Sequence, residues 1–173
     1  IAAIDAGARV ATHLFNAMRP VHHREPGPVV ALMEDPRVTV ELITDGTHLH
    51  PALYRDVMGR VGADRIALVT DAMAAAGMAD GAYRLGALDV DVVDGVAKVA
   101  GTDTIAGSTA TVDHVFRFAV EHSGLERDDA LLAGVQQSSI NPARAVGLVG
   151  ERPGAIGQAC GFEVGAPGDL VVL

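Results

Sequence analysis

Short runs of apolar and β-branched residues alternate along the first half of the chain with segments of helical periodicity. The apolar runs, at residues 8–12, 37–43 and 65–70, are predicted to be strands. The segments Gly27–Glu34 and Pro51–Val61 are predicted to be helices, and the second begins with proline, whose missing N–H costs nothing there. This repeated strand–loop–helix order favours a parallel α/β sheet.

A different pattern follows in the second half. Residues 83–99 alternate apolar and polar positions, and Asp94-Gly95 in their middle indicates a β-hairpin. Gly7 is predicted to end a helix that the chain enters halfway, so we expect further sequence before Ile1. Three more helices and a last strand are predicted at residues 108–123, 129–136, 142–146 and 169–173.

The composition adds an aliphatic core and argues against several partners. Hydrophobic residues make up 49% of the 173 residues and aromatic residues only 3%, which suits buried parallel strands. A net charge of -9 argues against nucleic acid, whose phosphates need basic patches. The apolar runs are too short to cross a membrane. The single cysteine, Cys160, allows no internal disulfide and fits a reducing cytoplasm.

Polar side chains with possible chemical roles follow each of the three strands of the first half. His13 follows the first strand, Asp45 and His48 the second, and Asp71 the third. Each alone has an ordinary structural explanation, such as a helix cap or a turn. Because the carboxyl ends of parallel strands share one face, we expect the four side chains to converge there.

The chemistry of two of these residues suggests a metal-dependent hydrolase. A neutral histidine such as His13 is a common zinc ligand, and a carboxylate such as Asp71 can act as general base toward a metal-bound water. No complete set of three ligands is found, because the His48-Leu-His50 pair is followed at once by Pro51. Two further histidines, His114 and His122, are interpreted as surface or packing residues of a helix.

Six motifs together resemble one known family in their order and spacing. They are Thr-His-Leu-Phe-Asn-Ala-Met (12–18), Arg-Glu-Pro-Gly (24–27), Asp-Gly-Thr-His (45–48), Leu-Val-Thr-Asp-Ala (68–72), Ile-Ala-Gly-Ser (105–108) and Asn-Pro-Ala-Arg-Ala (141–145). The chain resembles the N-acetylglucosamine-6-phosphate deacetylases over nearly its whole length. The first two motifs in combination are the most specific.

The resemblance implies a role for each matching residue. It implies that His13 is a metal ligand and Asp71 the catalytic acid and base, and that Arg24 reaches the substrate phosphate of a neighbouring subunit in a homodimer. The remaining substrate-binding residues that it implies are Asn16, Ala17, Asp45, His48, Ile105, Ala106 and Gly107.

The resemblance also implies the fold and the reaction. Residues 1–153 would be the C-terminal portion of a TIM-like (β/α)8 amidohydrolase barrel, and residues 154–173 would be strands of a small β-sandwich domain. A divalent metal ion, zinc or alternatively iron, would assist the hydrolysis of N-acetylglucosamine 6-phosphate to glucosamine 6-phosphate and acetate. Further metal ligands would precede Ile1, so this chain alone is expected to be inactive. An amidohydrolase acting on a cyclic amide and a non-catalytic sugar-phosphate-binding protein remain as alternatives.

Overall fold

The first sheet is parallel, as the alternating pattern predicts. The structure is a computed structural model that describes residues 1–148. Strands β1 (Val10–Ala11), β2 (Thr39–Leu42) and β3 (Ile66–Leu68) pair in parallel in the order β1-β2-β3. Helix α2 (Gly27–Glu34) connects the first two strands, and α3 (Pro51–Val61) precedes a 3-10 turn that leads into β3. The carboxyl ends of all three strands therefore lie at one edge.

A second, antiparallel sheet follows, and it has one strand more than the predicted hairpin. Its strands are β4 (Gly81–Leu85), β5 (Leu88–Val93) and β6 (Val96–Val99). The predicted turn at Asp94-Gly95 is confirmed, and both residues have the positive φ, 51° and 73°, that a tight hairpin requires. The prediction of one continuous run before it was wrong, because Gly86, with φ 59°, turns the chain between β4 and β5.

The helices of the second half differ from their predicted bounds at two places. Helix α4 (Val112–His122) starts four residues later than predicted, because Ser108 instead forms a parallel bridge with Ala72. The predicted helices 129–136 and 142–146 are joined without a break: a π-helical segment (Gln136–Ile140) connects α5 (Arg127–Val135) to α6 (Asn141–Ala145). A short helix, α1 (Ala2–Asp5), begins the described chain.

Two apolar clusters fill the interior. In the larger cluster, side chains of the first sheet pack against side chains of α2, α3 and α4. Leu42, Tyr54 and Ile66 are fully buried within it. The smaller lies between the second sheet and the segment around Met73. No helix within residues 1–148 is long and apolar enough to cross a membrane. The strand predicted at 169–173 and the sandwich predicted for 154–173 lie outside the described residues.

Candidate active site

The segment after β1 holds His13 in a strained conformation. His13, Phe15 and Ala17 have φ values of 32°, 77° and 55°, in the left-handed region that non-glycine residues rarely occupy. Leu14, between them, is fully buried, and its N–H donates to the carbonyl of Glu41 beside it on β2, at 2.8 Å. Packing around Leu14 therefore holds the backbone in a conformation that the local sequence disfavours. Strained backbone of this kind is found most often at functional sites.

The imidazole of His13 is oriented for ligation. Its Nδ1 lies 3.0 Å from the carbonyl oxygen of Asn16, so Nδ1 must carry the proton and donate it. Nε2 then keeps its lone pair free. A histidine whose second nitrogen is fixed by a carbonyl in this way is the usual form of a metal-ligating histidine.

The loop after β2 is organised around the Asp45 carboxylate. One oxygen, Oδ1, accepts the backbone N–H groups of Thr47 at 2.9 Å and His48 at 2.7 Å. The other, Oδ2, accepts the imidazole Nδ1–H of His48 at 2.7 Å, and both side chains are more than nine-tenths buried. Asp45 thus orients His48, whose Nε2 is the nitrogen left for a ligand.

This hydrogen bonding changes the acidity of Asp45. Burial alone would raise its pKa, but the hydrogen bonds from the His48 imidazole and from the N–H groups of His48 and Thr47 outweigh burial. The pKa of Asp45 therefore lies below its ordinary value. At neutral pH the group is a carboxylate held by donors, which is what fixing the His48 ring requires.

Ser108 connects this loop to the segment after β3. Its N–H donates to the carbonyl of Asp71 and its carbonyl accepts the N–H of Met73, both at 2.9 Å. Its hydroxyl Oγ donates to Asp45 Oδ2 at 3.2 Å. Asp71 itself has φ 48° and leaves its carboxylate exposed. Three separate segments thus meet at a serine that is 1% exposed.

A cleft of about 340 Å³ opens beside these residues. Four of the predicted site residues line it: Asp45, His48, Ile105 and Gly107. Its walls come from the β2 loop, the β5–β6 turn, residues 105–111 and the first turn of α4. Gly107 fits closely, since a side chain there would stand 3.2 Å from the carbonyl of Asp71.

Two residues that line the cleft were not among the predicted site residues. The surface interpretation of His114 is confirmed, since it is exposed on α4, but His114 also lines the cleft and places Nε2 3.2 Å from the carbonyl of Asp45. Ser108 was read only as part of a motif. Neither has a local signal, because each meets a segment more than 60 residues away. The packing interpretation of His122 is confirmed, since its ring meets Phe118 edge to face at 4.4 Å.

The other predicted site residues do not line this cleft: His13, Asn16, Ala17, Arg24, Asp71 and Ala106. Arg24 is exposed on the connection between β1 and α2, and its guanidinium donates to Nε2 of His23 at 2.8 Å. Asn16 and Ala17 lie on the strained turn that also holds His13. Ala106 is buried, and its N–H donates to the carbonyl of Ala97, so it anchors the 105–108 segment to the second sheet.

The expected metal fits this arrangement in part. His13 presents a free Nε2, as a ligand must, at the end of β1. Within residues 1–148, no three His, Cys, Asp or Glu side chains lie together in a way that could hold a metal ion. The described residues therefore offer one candidate ligand, His13, and no complete centre.

Comparisons with known proteins agree with this geometry. No family model matches the chain. An aspartate-to-alanine variant of N-acetyl-D-glucosamine-6-phosphate deacetylase from Mycobacterium smegmatis, in complex with N-acetyl-D-glucosamine-6-phosphate, superimposes with a TM-score of 0.83 and 68% identity, over 84% of this chain and 38% of that one. N-acetylglucosamine-6-phosphate deacetylase from Danio rerio is 41% identical over 99% of this chain and 41% of its own length. The chain thus spans about two fifths of both proteins.

Fold and candidate site together define an α/β protein whose candidate side chains follow the carboxyl ends of parallel strands, where barrel enzymes place their active sites. One relative is matched over most of its own length. A putative N-acetylgalactosamine-6-phosphate deacetylase from Escherichia coli is 42% identical over 80% of this chain and 79% of that protein. The chain belongs to the family of N-acetylglucosamine-6-phosphate and N-acetylgalactosamine-6-phosphate deacetylases.

Proposed function

We propose that the protein containing this chain hydrolyses the acetamide of N-acetylglucosamine 6-phosphate, releasing glucosamine 6-phosphate and acetate. The observation that carries the proposal is the 68% identity to the Mycobacterium smegmatis deacetylase, whose variant was solved with this sugar phosphate. The orientation of His48 by Asp45 after β2, and the exposed carboxylate of Asp71 after β3, supply suitable groups. A single cysteine and an amino-sugar substrate both suit the cytoplasm.

In this proposal the first sheet and its helices form the C-terminal portion of a (β/α)8 barrel, comprising residues 1–153. Residues 154–173 contribute strands to a small β-sandwich domain. The parallel order β1-β2-β3 and the helices between the strands support the barrel assignment. A complete barrel takes about 250 residues.

Asp71 performs the proton transfers of the proposed reaction. Its carboxylate takes a proton from the attacking water and then delivers it to the departing amine, so that the C–N bond breaks as the amine becomes neutral. Its position directly after β3 puts it on the edge where the other candidates lie. A divalent metal ion, which we propose to be zinc held partly by His13, would polarise the acetamide carbonyl and make the water more acidic.

Binding energy from the rest of the substrate holds the amide in place. His48 Nε2 contacts the sugar, residues 105–107 cover it, and Asn16 and Ala17 meet the sugar phosphate. Arg24, exposed on its loop, pairs with the phosphate bound by a second copy of the chain, since a guanidinium fork matches phosphate oxygens. The site is therefore shared within a homodimer, and contacts remote from the amide position it for attack.

The test is acetate release from N-acetylglucosamine 6-phosphate by the full-length protein, with and without a chelator. We expect release that the chelator abolishes and that Asp71→Asn reduces by about 100-fold or more, because general acid–base catalysis contributes on this scale. Asp91→Asn, on the exposed second sheet, is the matched control and should retain activity.

The outcomes separate the alternatives. Turnover of unphosphorylated cyclic amides would favour a different amidohydrolase, whereas tight sugar-phosphate binding without hydrolysis would favour a binding protein. A second substrate also has direct support, because the putative Escherichia coli relative is named for N-acetylgalactosamine 6-phosphate. Comparing kcat/KM for the two epimers decides which sugar the cleft prefers.

A further inference from the structure

We propose that Ser108 is a positioning residue that acts through Asp45 to hold His48 in its substrate-binding orientation. The inference rests on the proposed function, which makes His48 a sugar-binding group. It concerns one bond, from the Ser108 hydroxyl to Asp45 Oδ2, at 3.2 Å. Ser108 comes from a segment 63 residues away from Asp45 in the sequence.

The hydroxyl of Ser108 is used entirely inside the protein. It donates to Asp45 Oδ2 and accepts the N–H of Ala110 at 2.9 Å, while the residue as a whole is 1% exposed. A nucleophilic serine would instead lie against the Nε2 of a histidine. Ser108 contacts the carboxylate and not the imidazole, so the arrangement is a support for His48 and not a catalytic triad.

The carboxylate of Asp45 needs this support to keep its geometry. Oδ2 is shared between the Ser108 hydroxyl and the His48 Nδ1–H, and Oδ1 is shared between two backbone N–H groups. Two donors on each oxygen leave the carboxylate a single rotation. That rotation decides which imidazole nitrogen is protonated, and so which one meets the sugar.

The backbone of Ser108 has a separate connection that a side-chain substitution leaves in place. Its N–H and carbonyl join residues 71 and 73 whatever the side chain is. Removing the hydroxyl therefore disturbs the hydrogen bonds that hold Asp45 and His48 but leaves the segment that carries Asp71 in place. The two effects are distinguishable because a loss of substrate binding raises KM, whereas a loss of proton transfer lowers kcat.

The test is Ser108→Ala in the full-length protein, assayed by steady-state deacetylation. We expect KM for the sugar phosphate to rise about 10-fold, because one hydrogen bond to a charged group is lost. We expect kcat to stay within about twofold of the value for the unmodified protein. In a His48→Ala background, Ser108→Ala should add less than about twofold, because its target is gone. Ser123→Ala is the control, since Ser123 is also buried and its hydroxyl also bonds backbone groups, but at the end of α4.

A second measurement is independent of turnover. Nitrogen-15 NMR of the His48 ring should show the Nδ1–H tautomer in the unmodified protein and a mixture of tautomers in Ser108→Ala. If the unmodified protein releases no acetate but this tautomer shift occurs, the proposed function fails and the positioning role stands. An unchanged tautomer overturns the inference, as does an unchanged KM in an active protein. A fall in kcat with unchanged KM would assign Ser108 to Asp71 and overturn it as well.

Discussion

At the residue scale, the site depends on side chains that fix the conformation of other side chains. The Asn16 carbonyl sets the tautomer of His13, and Asp45 sets that of His48. His13 and Asp71 also sit on left-handed backbone, which costs each about 1 kcal/mol or more and has to be offset by packing around them. Such a site is preorganised before any ligand arrives.

The pH dependence of stability provides a test of the Asp45 hydrogen bonds. The pKa of Asp45 in the folded protein lies below its ordinary value of 3.8, because the hydrogen bonds from His48 and Thr47 outweigh the opposing effect of burial. A depressed folded-state pKa stabilises the fold above about pH 4, and this contribution is lost as the pH falls through the lower folded-state value. We expect Asp45→Asn to lower the free energy of unfolding at neutral pH by about 1–3 kcal/mol and to flatten its fall in acid.

Urea unfolding of the full-length protein over a series of pH values measures this difference. Asp91→Asn is the control, since its side chain is exposed on the second sheet. An Asp45→Asn variant that loses stability in acid as steeply as the unmodified protein would contradict the prediction.

At the element scale, a buried amide and a half-buried guanidinium group fasten the helices to the first sheet. Asn141 begins α6 and donates from Nδ2 to the carbonyls of Ala63 and Ile66, both at 2.7 Å, where the chain enters β3. Arg65 donates to the carbonyls of Met33, Asp35 and Val38 around the end of α2. The Asn-Pro-Ala-Arg-Ala motif therefore has a structural role here, as a clamp on the strand that leads to Asp71.

Substitution of Asn141 tests that clamp. Asn141→Asp keeps the shape of the side chain but replaces its N–H donors with acceptors, so two carbonyls in the interior lose their partner. We expect a loss of about 2–4 kcal/mol in the free energy of unfolding, measured by denaturant titration. The neighbouring Gln136→Glu is the matched amide-to-acid change at a half-buried position and should cost far less. Equal losses for the two variants would rule out the clamp.

At the scale of the whole molecule, contacts between distant segments join the layers. Tyr54 on α3 is 1% exposed, and its hydroxyl donates to Oε1 of Gln137 in the π-helical segment at 2.9 Å. The Gln137 amide in turn lies 2.8 Å from the sulfur of Met58. Thr44, also fully buried, donates to the carbonyl of Val115 and so docks α4 against the end of β2. The first two contacts join α3 to the π-helical segment, and the Thr44 contact joins the end of β2 to α4, whose first turn lines the cleft.

Alkaline titration reports on the Tyr54 contact. Burial raises the pKa of Tyr54 from 10.0 to about 12, with the hydrogen bond to Gln137 opposing that rise. A raised folded-state pKa contributes stability fully below about pH 10 and loses it as the pH climbs towards 12, since the unfolded chain ionises first. We expect the loss to reach about 2 kcal/mol, seen as a falling midpoint of thermal unfolding.

The difference in tyrosinate ultraviolet absorbance between the full-length protein and Tyr54→Phe isolates the Tyr54 titration, and Tyr83→Phe, at the other tyrosine of the 173 residues, is the control. Tyr54→Phe should remove its part of the alkaline loss, whereas Tyr83→Phe should keep it. A Tyr54 that titrates near pH 10 in the folded protein would show that the phenol is not buried as described.

Most of the first half of the fold could be predicted from local sequence. The bounds of α2 and α3 agree with the predicted segments, because proline and glycine punctuate them and their apolar residues recur at helical spacing. Strands β2 and β3 were found from runs of β-branched residues, and the hairpin at Asp94-Gly95 from its turn residues. The turn at Gly86, which the prediction missed, also has a signal in the sequence. Gly86 and the one residue after it separate two runs of alternating apolar and polar residues, as in a two-residue hairpin turn.

The sequence by itself determined most helices and strands of the first half, the parallel sheet that their alternation indicates, and the family that the motifs indicate, since these depend on short-range periodicity and on residue type. Only the tertiary structure decided which side chains meet. Ser108 and His114 reach the Asp45 loop because α4 begins late and packs on the end of β2, and no local pattern encodes that contact. Hydrogen-bond partners far apart along the chain are selected by packing, since a buried polar group must find whichever partner the fold brings to it.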